Sequence, residues 1–489
     1  MTIDLQDNAP RTPPLPPAGT GRTLRDVPMP GFVKRLAQRL ALLPGQPDMA
    51  SARHIDRLRR TCNEALAKPN KIGGLVAIAH VADQYAAMSP AERGVFFNLL
   101  RDEFGVNPAE VHGAYDAYRD GADEPGAALI RLTKALESPR LQLFRLFNTI
   151  PAGIKFLVDL RAELLRRLKG DPGLRPMEFE LRHLLESWFN LGFLHLERIT
   201  WDSPAGLLEK LIAYEAVNEI SNWGDLKHRL ISDRACFAYI HPAMPGEPLI
   251  FVEVALVRGM PDNIQRLLDT SGPDLRPEEA DTAVFYGITN AQAGLHGIPL
   301  GNLLIKHVTQ RLRAQWPKLD TFVTLSPLPR FRQDFLNPAL ENGGLEAFFD
   351  EQQAQRVCAL AGEETLGRAV WALLERPAWP EDREVREALR DGLLRAARAY
   401  LLNVQPHNGQ GGQRTVIGGR AACPVAHFHA ANGAVLQRIN WLGDVSPRGL
   451  RQSAGIMVNY LYDPLKFESH QNSYMAHGRI DAGRPVLAL

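Results

Sequence analysis

The run from Val284 to Leu304 carries a pattern suited to holding an anion. Val284-Phe285-Tyr286-Gly287-Ile288-Thr289-Asn290 reads as a strand, Ala291 to Gly301 is punctuated by Gly294 and Gly297, and a helical pattern follows. Such a strand–turn–helix aims unsatisfied backbone N–H groups and the positive helix end at one point, where a pyrophosphate fits. Gly294 and Gly297 lack a Cβ, so backbone can approach the anion, and Lys306 or Arg311 would reach outlying phosphates. Plain structural punctuation is the competing reading of these glycines. A second stretch, Phe322-Val323-Thr324-Leu325-Ser326-Pro327-Leu328-Pro329, delivers a hydroxyl to a strand end that two prolines stop from continuing. Ser326 there lines a site or only caps the turn. In the third, Val425-Ala426-His427-Phe428-His429, alternation predicts two histidines on one face of a strand. No third ligand stands at an obvious spacing, so no metal is expected; a buried, hydrogen-bonded histidine is the plainer alternative.

These residues need a scaffold, and composition limits which. The 489 residues exceed one ordinary hydrophobic core and favour at least two domains. With 56 basic and 55 acidic side chains, no overall field recruits nucleic acid or an anionic membrane. Apolar stretches are broken by charges before they reach a spanning length. Cys62, Cys236, Cys358 and Cys423 lie far apart, resembling neither a disulfide framework nor a zinc site, and fit a reducing cytoplasm.

Along the chain, residues 1–30 are proline-rich with little apolar content and read as a disordered tail. Residues 31–201 show repeated helical periodicity, as in Leu75-Val76-Ile78-Ala79-Val81-Ala82-Tyr85 and Phe156-Leu157-Leu160-Leu164-Leu165-Leu168. From 202 to 489 strands alternate with helices. A helix near Leu207 to Ile220 precedes strands Cys236 to His241, Leu249 to Leu256, Ala283 to Thr289 and Thr321 to Leu325. Val425 to His429 and Val435 to Trp441 are expected to pair through a hairpin at Asn432-Gly433, and Ser446-Pro447 to start a last helix reaching Tyr460. Pro406 to Gly419, dense in Gly, Gln and Asn, reads as a surface loop rather than a lid. The fold class is thus α+β and multidomain: an N-terminal helical bundle, then an α/β domain with a mixed central sheet.

Gln292-Ala293-Gly294-Leu295-His296-Gly297 approximates the Gln/Arg-x-x-Gly-x-Gly/Ala signature of GNAT-type N-acetyltransferases, with one glycine a residue early. From about Lys34 to Tyr462 the chain resembles the malonyl-CoA decarboxylase family. The most specific pieces are His241 to Leu256, Phe285 to Gly301, Thr324 to Pro329 and Phe428 to Tyr462. The resemblance implies a helical oligomerisation domain, an acetyltransferase-like catalytic domain and conversion of malonyl-CoA to acetyl-CoA and carbon dioxide. It places the catalytic serine on Ser326, the histidine on His429 and a tyrosine on Tyr462, with Asp463 as its companion. Coenzyme A is expected at Gln292, Gly294, Leu295, Gly297, Ile298, Gly301 and Lys306. The family's active-site glutamate falls at or near Pro299, which cannot do its job. No metal or separate cofactor is needed, because the thioester itself accepts the electrons. A homotetramer built from dimers is implied. The rival readings are an acyl-CoA-dependent N-acyltransferase and a non-catalytic acyl-CoA sensor.

Overall fold

Prolines and side-chain caps set where the helices begin. The computed structural model describes residues 49–69, 71–121, 124–269, 271, 275–405 and 419–489, so the proline-rich tail and the glycine-rich stretch 406–418 lie outside the described residues. Residues 60–489 form one compact unit; of residues 1–59, only the first turns of α1 (Met49–Ala67) are described. Next come α2 (Ile72–Ala86), α3 (Pro90–Asp102), α4 (Pro108–Arg119), α5 (Pro125–Ala135), α6 (Pro139–Phe147), α7 (Gly153–Arg167) and α8 (Arg175–Trp188). Ser89 and Glu92 close a capping box ahead of Pro90, and Asn107-Pro108 and Ser138-Pro139 start α4 and α6 similarly. Stripes at helical spacing are buried, among them Leu157, Leu160 and Leu164 of α7 and Leu181 and Leu185 of α8.

The helical run ends at Trp188, short of Trp201, because His195–Ile199 forms strand β1, antiparallel to β2 (Arg234–Ile240). Five residues carry too little periodicity to announce an edge strand; the open side of β2 recruits them. Between the two strands, α9 (Ala205–Tyr214) stops well before Ile220, and α10 (Trp223–His228) follows. Strands β3 (Pro248–Val257), β4 (Thr282–Asn290) and β5 (Thr321–Thr324) fall within a residue or two of expectation. Short α11 (Ile264–Leu268) lies between β3 and β4, and α12 (Gly301–Gln315) makes the crossover from β4 to the parallel β5. After β6 (Ser326–Pro327) come helices α13 (Asn337–Glu341), α14 (Glu351–Ala361), α15 (Leu366–Leu374) and α16 (Arg383–Leu402), then a ribbon, β7 (Val404–Gln405) with β8 (Arg420–Ala421). The chain continues through α17 (Pro424–Ala431), β9 (Val435–Asn440), α18 (Pro447–Ser453), β10 (Met457–Leu461), α19 (Phe467–His477) and α20 (Arg484–Leu487).

The sheet runs β1-β2-β3-β4-β5-β10-β6, with β9 also on β10, and among the described strands only the β4–β5 pair is parallel. Their pairing covers Thr282–Phe285 against Thr321–Thr324 and then stops. A bulge opposite Glu253 inserts one residue, Tyr286, into β4, which goes on to Asn290 paired with β3 alone. Beyond Phe285 the outer edge of β4 therefore has no strand neighbour among the described residues, and Ser326 lies just past the point of separation.

Two expectations fail here. Val425–His429 is helical in α17, since Pro424 sits at the first helical position with Cys423 as N-cap. Asn432-Gly433 ends that helix, Gly433 taking φ +79, instead of turning a hairpin. The helix begun by Ser446-Pro447 stops at Ser453; Ala454 and Gly455 turn with positive φ, and β10 occupies the stretch expected to stay helical. Short apolar runs do not announce their period; the proline and cap at the helix start decided the first case and sheet pairing the second.

Candidate active site

At the separation of β4 and β5, side chains from three elements meet. Ser326 Oγ lies 3.1 Å from His429 Nε2, and His429 Nδ1 lies 2.8 Å from the Tyr462 hydroxyl. Ser326 Oγ also donates to Thr324 Oγ1 at 2.9 Å, and Thr324 Oγ1 accepts the Tyr460 N–H. The Tyr460 ring stacks on the imidazole, centroids 4.3 Å apart. Taking the Ser326 hydrogen as the one shared with Thr324 gives the chain of hydrogens a direction. With the Ser326 hydrogen given to Thr324, Ser326 Oγ accepts from His429 Nε2–H; Nδ1 is then bare and accepts from Tyr462 O–H.

Electrostatics agree. His429 is 3% exposed, and burial pushes its pKa down to about 3, so the ring is neutral at physiological pH. Burial raises the Tyr462 phenol well above its ordinary value, which the Asn432 amide beside it opposes. A serine nucleophile has the reverse polarity, donating to an imidazole backed by a carboxylate. Here a phenol stands behind the ring. The site is arranged to offer N–H and O–H hydrogens, not to generate an alkoxide.

The expected site residues separate. Ser326, His429 and Tyr462 are brought together. Asp463 is not with them: its Oδ1 accepts the Leu465 N–H at 3.0 Å and its carboxylate pairs with Lys466, so it serves the turn. His427 and His429 do not share a face; two positions along a helix are about 200° apart, and His427 Nδ1 instead meets the Tyr474 hydroxyl at 2.7 Å. Among the described residues no group of three or more His, Cys, Asp and Glu side chains could hold a metal ion.

The coenzyme set divides too. A cleft of about 730 Å³ runs beside the start of α12, lined by Gly297, Ile298, Arg182, Arg420, Phe428 and Gln471 among others. Gly301, at the first position of α12, leaves the space that Phe428 fills; a Cβ there would come within 2.8 Å of that ring. Lys306 stands behind Gln471, bonding it at 3.2 Å. The other three point elsewhere. Gln292 is buried and donates to the Pro248 carbonyl at 3.0 Å, and Leu295 belongs to the core. Gly294 presses on α7, where a Cβ would fall 1.8 Å from the Val158 carbonyl oxygen, and its own carbonyl accepts from Arg161. Gly294 is thus needed for packing, the competing reading of that glycine. Arg311 lies ten residues along α12 from Gly301, roughly 15 Å at 1.5 Å per residue, too far from the helix start. Pro299 lines the cleft and offers no carboxylate; Glu186 lines it from α8, held by Arg182 at 2.8 Å.

Thr324, Tyr460, Asn432 and the two cleft arginines were not singled out as site residues from sequence. Thr324 and Tyr460 each stand two residues before a site residue, the strand period, so that spacing was a usable signal. Asn432 is three residues after His429, visible only once the segment is known to be helical.

A pre-formed Ser–His–Tyr chain of hydrogens at the separation of two parallel strands, beside a cleft at a helix start, defines a proton-donating site next to room for an anionic ligand. Comparison narrows that class. Residues 192–489 match the malonyl-CoA decarboxylase C-terminal domain and residues 104–189 the N-terminal domain of the same family. The mitochondrial malonyl-CoA decarboxylase of Anser anser anser is 36% identical over 414 residues, covering 81% of this chain and 80% of that protein. That of Mus musculus is 36% identical over 422 residues, covering 83% of each. Among solved structures, malonyl-CoA decarboxylase from Rhodopseudomonas palustris aligns with TM-score 0.78 and 37% identity, over 89% of this chain and 99% of that one. That from Agrobacterium vitis gives 0.77 and 37%, over 88% and 98%. The chain belongs to the malonyl-CoA decarboxylase family.

Proposed function

We propose that this protein decarboxylates malonyl-CoA to acetyl-CoA and carbon dioxide with Ser326 and His429 at the reacting centre, Tyr462 supporting the histidine, and no metal or separate cofactor. The observation that carries the reading is that His429 Nε2 lies 3.1 Å from Ser326 Oγ while its Nδ1 lies 2.8 Å from the Tyr462 hydroxyl. Breaking the bond between the α-carbon and the carboxylate sends its electron pair onto the thioester oxygen as an enolate, which must then gain one proton on carbon. Before cleavage, the Ser326 O–H, turned from Thr324 to the substrate, and His429 Nε2–H both donate to the carboxylate and hold it out of the thioester plane. After carbon dioxide leaves, Nε2–H passes to the α-carbon while the Tyr462 hydrogen moves to Nδ1, so the imidazole never becomes an anion. A proton from water entering with product release then returns to Nε2, and the Nδ1 hydrogen goes back to the Tyr462 oxygen, which restores the starting tautomer.

Gly297, Ile298 and Gly301 line or border the path of the coenzyme, whose phosphates take the first-turn N–H groups of α12, which no side chain caps. Arg182 and Arg420 of the same cleft supply the charge in place of Lys306. The open edge of β4 beyond Phe285 suits the amides of the pantetheine arm. Self-association as a tetramer is supported by the apolar surface of α4 and α5, where Tyr115, Tyr118, Leu129 and Ile130 are about half exposed. Four unpaired cysteines, three of them buried, support a reducing compartment such as the cytoplasm, although the relatives are named mitochondrial enzymes.

The test is to incubate purified protein with malonyl-CoA and no acyl acceptor, beside His429→Gln. The parent should form acetyl-CoA and carbon dioxide, and the variant should lose about two to four powers of ten in kcat with little change in KM. A variant running at the parent rate would remove His429 from the reaction. Intact malonyl-CoA with the parent would leave only a binding role.

A further inference from the structure

Asn432 sits at the C-cap of α17, three residues after His429, where the chain leaves the helix. Its own N–H donates to the His429 carbonyl at 3.1 Å, and the next residue is Gly433, whose missing Cβ would otherwise lie 2.1 Å from the Phe467 carbonyl oxygen. The Asn432 backbone is therefore fixed relative to the histidine. The side chain is 1% exposed, yet neither Nδ2 nor Oδ1 has a hydrogen-bond partner among the described residues. Buried amides are nearly always satisfied, so a buried carboxamide with both ends unspent requires an explanation. The Tyr462 hydroxyl is close enough for the amide to act on its acidity although no bond of normal geometry joins them. That hydroxyl has spent its hydrogen on His429 Nδ1 and keeps lone pairs that water cannot reach, Tyr462 being 1% exposed.

We propose that Asn432 is a positioning residue: its side-chain N–H donates to the Tyr462 oxygen and thereby decides which ring nitrogen of His429 carries the proton. A phenol that accepts from an amide keeps its own hydrogen for Nδ1, which leaves Nε2–H facing Ser326. If the amide oxygen faced Tyr462 instead, the phenol hydrogen would turn to it, Nδ1 would have to hold the ring proton, and Nε2 would be bare. No proton could then pass from the ring to the α-carbon. The same N–H has a second use during transfer. When Nε2–H goes to carbon and the Tyr462 hydrogen moves to Nδ1, negative charge develops on the phenol oxygen, and Asn432 is the donor placed to meet it. The inference rests on the decarboxylase reading for its kinetic part only.

The experiment uses Asn432→Leu, which keeps the branching at Cγ and removes the donor, and the smaller Asn432→Ala, each alone and combined with Tyr462→Phe. On malonyl-CoA, each single variant should lose about tenfold to a hundredfold in kcat with KM unchanged, as for a lost hydrogen bond to a charged group. In the Tyr462→Phe background the same changes should cost nothing further, because the oxygen they serve is gone. Nitrogen-15 spectra of labelled histidine should show the Nε2–H form of His429 in the parent and a mixture of ring forms in Asn432→Leu. An equal loss of kcat with and without Tyr462, or an unchanged His429 spectrum in Asn432→Leu, overturns the proposal. The spectra read the tautomer without turnover, so they decide it even if the parent leaves malonyl-CoA intact.

Discussion

Letting water reach His429 should give the enzyme an acid limb that the parent lacks. The imidazole pKa of about 3 comes from burial alone, and against an ordinary value of about 6.5 that depression is worth roughly 5 kcal/mol against protonation in place. The worked consequence is large. At pH 5 an imidazole of ordinary pKa is only about 3% neutral, so a reaction needing the neutral ring would lose roughly thirtyfold between pH 8 and pH 5; with the pKa near 3, about 99% stays neutral. Tyr460 supplies the wall, its ring stacked 4.3 Å from the imidazole and almost fully buried. Tyr460→Ser opens space for about three waters at ~30 Å³ each and keeps the backbone N–H that bonds Thr324. The assay is kcat/KM for malonyl-CoA consumption from pH 8 to pH 5, a range in which the substrate carboxylate stays ionised. The parent should be flat. Tyr460→Ser, confirmed folded by its melting curve, should fall by at least about tenfold at pH 5, with an apparent pKa rising toward 6.5. An acid limb near pH 6.5 in the parent, or a flat profile in the variant, would refute the link between burial and the neutral ring.

Other outcomes follow from the packing around the site. Gly294→Ala should lower the melting temperature sharply and leave little folded protein, since its Cβ would meet the backbone of α7; a normal melt with a raised KM would mean that the glycine faces ligand after all. Arg161→Met should destabilise by about 3–5 kcal/mol, because the guanidinium is buried, bonds Glu178 and satisfies the carbonyls of Gly294 and His296. Arg161→Lys should recover only part of that loss, lacking the fork that serves three partners; denaturation curves of the two variants decide it. Arg420→Glu should raise KM for malonyl-CoA by about tenfold or more at low salt with kcat nearly unchanged, and added salt should shrink the difference. An unchanged KM would move the phosphates out of this cleft.

What the chain revealed before folding is local. Ser326 held to a strand end by Pro327 and Pro329, the strand leading to Gly294 and Gly297, and the helical stripes of α2 and α7 are all statements about neighbours in sequence. Each was legible because period and turn chemistry act over a few residues. The resemblance to a family then named Ser326, His429 and Tyr462 together. The segment Val425–His429 shows where such reading stops: five mostly apolar residues fit either period, and the wrong choice put His427 beside His429. Once the segment is a helix, Pro424 and Gly433 read equally well as its two ends.

By itself, then, the sequence determined the helical first half, most strands of the sheet and which hydroxyl and imidazole were candidates. Only the tertiary structure decided that Gly294 packs on α7 while Gly297 lines a cleft, that Asp463 holds a turn while Tyr462 backs the histidine, and that Thr324, Tyr460 and Asn432 surround the ring. The reason is that burial and hydrogen-bond direction belong to groups meeting across the fold. Ser326 and His429 stand 103 residues apart, and nothing near either one states that the other will be its partner or that water will be kept out.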